Sequence, residues 1–101
     1  MLLILTTVGT EAEARTIART LVEEHLCVCA QIDRIESVYR WEGQVCQEAE
    51  WRLWLKTAAD RAAPLQTRLR ELHPYTLPAI YTLQPEAVSP AFAQWVHDES
   101  R

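Results

Sequence analysis

Three cysteines, three histidines and a single lysine stand out among the 101 residues as groups that could do chemistry. Thiolate, imidazole and carboxylate are the ligands of zinc, copper and related cations. Cys27 and Cys29 stand two apart and fall on the same face of a strand. Cys46 lies in a different segment, and no Cys-x-x-Cys or His-x-x-x-His spacing occurs. A turn at Glu42-Gly43 places Cys46 beside Tyr39 and Cys29 beside Lys56. That separates Cys46 from Cys29 by about 10 residues, or about 30 Å. Within one chain the three thiols therefore make no common site, and small buried residues are their simplest role. His25 and His97 end helices, where a cation suits the dipole.

These residues must be placed by the elements around them. Leu2 to Val8 is a nearly continuous apolar run and reads as a central strand. Thr10 offers an N-cap with Glu13 three residues on, a capping box. Ala14, Ile17, Ala18, Leu21 and Val22 follow at helical spacing, predicting a helix from about Glu11 to about Leu26. Val28, Ala30 and Ile32 alternate as a strand. After Asp33-Arg34 the bulk moves to the other parity, in Ile35, Ser37, Tyr39 and Trp41, which predicts a bulge or bend. Glu42-Gly43 is a hairpin signal, and the return strand runs from about Val45 to Thr57. Asp60 is the expected cap of a second helix, with Pro64 in its first turn and Leu65, Leu69 and Leu72 as its buried stripe. His73-Pro74 ends it. Leu77 to Leu83 is a further strand, confined to an edge by Pro78. Ser89-Pro90 opens a last helix with Phe92, Trp95 and Val96 on its apolar face.

The order βαββαβ with a closing helix predicts an α+β, ferredoxin-like sandwich, one domain over residues 1–101, with helices on one face of a four-stranded sheet. Its central hairpin is too long for its helices. Arms of about 13 to 15 residues reach about 45 Å, whereas the helices span about 18 to 24 Å. Val38, Tyr39, Trp41 and Trp51 are then left for solvent or for a neighbour, and self-association is the expected solution.

The assembled segments resemble the CutA family of divalent-cation-tolerance proteins over essentially the whole chain. The likeness is carried by Glu11 to Glu24 (EAEARTIARTLVEE), Ser37 to Gly43 (SVYRWEG), Leu55-Lys56-Thr57 and Leu72 to Pro78 (LHPYTLP). It implies a non-catalytic, PII-like homotrimer tied to tolerance of divalent metal ions, copper above all, whose long hairpins reach onto neighbouring subunits. It also implies two sets of site residues. His73 lies in a family motif and Cys29 where cysteine is frequent, so these are the metal candidates, with copper the implied cation. Some family members carry a histidine pair and a first-strand cysteine; here the positions hold Leu72-His73 and Thr6. Acidic residues frequent after Tyr75 and Pro78 are Thr76 and Ala79 here, which weakens a site built from that loop. The second set is Tyr39, Trp41, Glu42, Lys56, His73 and Tyr75, which the resemblance gathers near subunit clefts. Aromatic walls with a few polar groups suit a small effector, and a PII-like effector-binding role is the alternative function.

Composition narrows the remaining classes. A net charge of −4 and the absence of a basic stripe argue against nucleic-acid partners. No apolar run has membrane-spanning length. The opening Met1 to Leu5 lacks the features of a signal peptide, so a cytoplasmic location with reduced thiols is expected. No nucleophile with an adjacent base is visible. The arginine–asparagine pair of acylphosphatases is impossible, because the chain has no asparagine.

Overall fold

A computed structural model describes all residues, 1–101. The elements run β1 (Leu2–Val8), α1 (Glu11–Glu23), β2 (Cys29–Trp41), β3 (Gln44–Thr57), α2 (Ala62–Leu72), β4 (Ile80–Leu83) and α3 (Pro90–Glu99), with a short 3-10 turn, Ala59–Arg61, before α2. The strands form one antiparallel sheet in the order β2-β3-β1-β4. β1 is central, as its apolar run predicts, and β4 is an edge. The fold is the expected ferredoxin-like sandwich. No helix is long and apolar enough to cross a membrane.

The core lies between one face of the sheet and two helices. Ala14, Ile17, Ala18 and Leu21 of α1 and Leu65 and Leu69 of α2 pack on Ile4, Val8, Leu53 and Leu55. Partners directly opposite in a ladder share a face, and successive residues alternate. Leu3, Leu5, Ile35, Trp54, Tyr81 and Leu83 therefore point away from the helices. Leu5 is still buried there, between its ladder partners Trp54 and Tyr81. Tyr81 and Leu83 are exposed. This second face sets those apolar residues beside the polar Gln31, Asp33, Arg52 and Lys56, and neither α1 nor α2 covers it.

The ends of α1 show how local chemistry sets the frame. Thr10 caps it, with Glu13 N–H donating to Thr10 Oγ1 at 3.2 Å and the hydroxyl donating to the Glu13 carboxylate. The helix stops at Glu23, three residues short of the expected end. His25 takes φ of 59°, its N–H donates to Val22 O, and Leu26 N–H donates to Leu21 O. That is a Schellman ending with histidine at the position glycine usually fills. It turns Leu26 and Cys27 into the core.

Several sequence expectations change. The β2–β3 register is unbroken from Cys29↔Lys56 to Trp41↔Gln44, so no bulge interrupts Asp33-Arg34. The parity switch marks a change of covered face: Ala30 and Ile32 meet the core, whereas Ile35 and Ser37 face the bare side. Asp60 does not cap α2; its carboxylate takes two bonds from Arg101, at 2.7 and 3.0 Å. Ser89 occupies the N-cap position of α3 without a side-chain bond. β4 begins only at Ile80, leaving Pro78 in the loop. Trp95 is exposed, and Val96 alone carries α3 into the interior.

Candidate functional site

The loop after α2 is held against the end of β1. Pro74 forces His73 out of helical angles, to φ −74° and ψ 131°. Its ring turns inward, and the residue is only 8% exposed. His73 Nε2 lies 2.9 Å from Thr6 Oγ1 and 3.0 Å from Thr7 O, and Nδ1 accepts from Tyr75 N–H at 3.1 Å. A carbonyl accepts only, so Nε2 carries the proton and Nδ1 does not. Burial holds the imidazole pKa below its ordinary value.

Tyr75 stands beside this ring, with centroids 5.0 Å apart. Its hydroxyl donates to Glu50 at 2.9 Å. A Cβ on Gly9 would come 3.3 Å from that hydroxyl oxygen, so glycine lets Tyr75 cross the end of β1. Two residues along the same face of β3, Glu48 accepts from the hydroxyl of Tyr39. That bond pushes the Tyr39 pKa up to about 12, and burial together with the Glu50 bond raises that of Tyr75. Tyr39, Glu48, Glu50 and Tyr75 thus form one row of phenols and carboxylates at the root of the overhanging hairpin.

The other expected cleft residues lie elsewhere. Trp41 is half-exposed near the tip, and Glu42 and Gly43 take φ of 50° and 76° in the turn itself. Positive φ at both central residues is the type I′ hairpin geometry. Lys56 is at the opposite end of the ribbon, paired with Cys29 and 5.6 Å from the Phe92 ring centroid. Ten residues of β3 separate it from Cys46, the partner of Tyr39, about 33 Å along the strand. A cleft holding Lys56 with Tyr39 or Trp41 needs more than one chain. Val38 is 66% exposed. Trp51 is not in solvent: it packs half-buried on the core with the Arg34 guanidinium over its ring.

The metal candidates are not brought together. Cys29 belongs to the bare face of β2, two strands away from β1, where His73 is bonded. Cys27 is buried in the core, and burial pushes its thiol up to about 12. Cys46 pairs with Tyr39 far along the ribbon. No three His, Cys, Asp or Glu residues cluster at metal-binding distance. With both His73 nitrogens bonded to protein, His73 and Cys29 do not fit a divalent cation as one centre.

Sequence reasoning missed the carboxylates of Glu48 and Glu50 and a half-buried cluster on the bare face. There Asp33 accepts from Arg52 Nε and Nη2 and from Trp54 Nε1, and Arg52 also lies over the Trp54 ring. The signal was available in the parity of Asp33, Glu48, Glu50, Arg52 and Trp54 once the turn had set the register.

A ferredoxin-like α+β sandwich with one sheet face left uncovered by α1 and α2 and an overhanging ribbon defines the structural class. Comparison with known proteins gives the family: residues 2–99 match the family model described as CutA1 divalent ion tolerance protein. The divalent-cation tolerance protein CutA of Thermotoga maritima is 37% identical over 98 residues, covering 97% of each chain. Its Thermus thermophilus counterpart is 38% identical over 98 residues, covering 96% of this chain and 95% of the other. Among solved structures, the PII-like protein CutA from Nostoc sp. PCC 7120 superposes with a TM-score of 0.96 at 34% identity, covering 100% of this chain and 98% of the other. The chain belongs to the CutA1 family.

Proposed function

We propose that the chain works as a single non-catalytic domain assembled into a homotrimer, and that its role is tolerance of divalent cations, copper among them. The observation that carries this is the bare sheet face. Leu3, Leu5, Trp54, Tyr81 and Leu83 form an apolar patch on the sheet face that α1 and α2 leave uncovered, continuous with the ribbon bearing Tyr39 and Trp41. A surface of that kind suits burial against further copies. The paired charges of Asp33 and Arg52 suit it as well, since they satisfy each other within the chain. The family resemblance supports three copies. The names of the Thermotoga and Thermus relatives supply the cation role. Three free thiols support a reducing, cytoplasmic location.

A second reading has one specific support. The row Tyr39, Glu48, Glu50 and Tyr75 presents hydroxyls and carboxylates where the hairpin leaves its own subunit. Clefts completed there by a neighbour suit a small effector, in line with the PII-like description of the Nostoc protein. Native mass spectrometry with and without copper tests both readings. A trimer is expected. A monomer at micromolar concentration would defeat the assembly on which both depend.

A further inference from the structure

The geometry points to His73 as the centre of a hydrogen-bonded latch formed with Thr6, Thr7 and Tyr75, rather than as a ligand to a metal ion. The inference refines how the proposed cation role is carried and takes from that reading only the choice of metal probe. A metal needs an imidazole nitrogen lone pair aimed at open space. Nε2 is protonated and directed at Thr7 O and Thr6 Oγ1. The Nδ1 lone pair is occupied by the Tyr75 amide. Thr6 is 1% exposed, so the bonded pair is closed to solvent from the β1 side. Freeing either nitrogen would leave a buried donor or acceptor without a partner.

The latch has a positioning role of its own. It joins residue 73 to residues 6 and 7 and fixes the backbone at Tyr75. From there the phenol reaches across Gly9 to Glu50. The loop is thus held at both ends of a short path: the ring at β1 and the hydroxyl at β3. In this chain, any cation response has to arise from surfaces between copies or from groups other than His73.

Nitrogen NMR of histidine-labelled protein, titrated with zinc(II), reads the ring directly. The expected result is an Nε2–H tautomer for His73 whose signals stay in place through one zinc per chain. Movement of the His73 signals in a saturable, one-to-one manner would overturn the inference. Copper(II) titration of His73→Ala is the second arm, with affinity expected within about threefold of wild type and Tyr75 amide exchange faster by tenfold or more. A loss of copper affinity above tenfold, or an unchanged Tyr75 amide, would count against the latch. If His73→Ala fails to fold, the zinc titration of the wild-type protein still decides. Native mass spectra of the same samples separate the two readings. Missing trimers with an undisturbed His73 would sink the assembly proposal alone, whereas intact trimers with a metallated His73 would sink the latch alone.

Discussion

The Tyr75 hydroxyl donates to the Glu50 carboxylate at 2.9 Å, tying the loop after α2 to the long return strand. Its ring separately contacts His73 and passes close to Gly9. These two functions can be split. Tyr75→Phe should cost about 1.5 kcal/mol, the low end for a hydrogen bond to a charged group, because the Glu50 carboxylate is only partly buried. Tyr75→Ala should cost at least about 2 kcal/mol, since ring packing is lost as well. Denaturant midpoints measure both, and equal losses would show that the ring contributes nothing beyond its hydroxyl.

Protonation of His73 should destabilise the protein. Its pKa is lowered in the fold, so the unfolded chain binds the proton more readily. The neutral ring's contribution is complete above the unfolded value of about 6.5. It is lost as pH falls from there toward the lowered folded value. Wild-type stability should therefore drop more steeply than that of His73→Gln below about pH 6.5. Parallel stability curves for the two proteins between neutral and mildly acid pH would contradict this account.

Trp41→Ala should weaken assembly more than it weakens the subunit fold. The indole is 50% exposed near the ribbon tip, far from the core packed by α1 and α2. Sedimentation at falling concentration should show dissociation earlier than in the wild type, with circular dichroism of the dissociated chain still folded. An intact assembly with unchanged thermal stability would refute the prediction.

His25→Gly should stabilise the chain. Histidine at φ 59° carries a left-handed backbone penalty of about 1 kcal/mol that glycine avoids. The His25 and Leu26 amide bonds to Val22 and Leu21 are backbone bonds and survive the change. A lower melting temperature in the variant would mean that the imidazole contributes more than the strained backbone costs.

Elements governed by neighbouring residues were legible in the sequence. Thr10 and Glu13 marked the start of α1, and Glu42-Gly43 set a turn whose register puts Tyr39 against Cys46 and Cys29 against Lys56. Errors arose where partners are distant in the chain. Asp60 has the residue type of a cap, but Arg101, which follows it by 41 residues, takes the carboxylate. The bonds from His73 to Thr6 and from Tyr75 to Glu50 likewise span 67 and 25 residues. Local propensity contains no information about such pairings. The shift in parity after Asp33 was read correctly as a pattern. Its cause is a sheet that places apolar side chains on both faces, each along a different part of β2.

The unbroken ladder of the hairpin also constrains how its length can vary. From Cys29 to Trp41 every residue has one partner. A single residue inserted into one arm would exchange the faces of everything beyond it, sending Tyr39 and Trp41 to the side now held by Val38 and Arg40. Insertions made equally in both arms next to the turn would instead lengthen the ribbon and leave all existing pairs in place. Relatives and engineered variants with longer or shorter ribbons should therefore differ by matched additions or deletions at the tip, with unmatched changes confined to the turn.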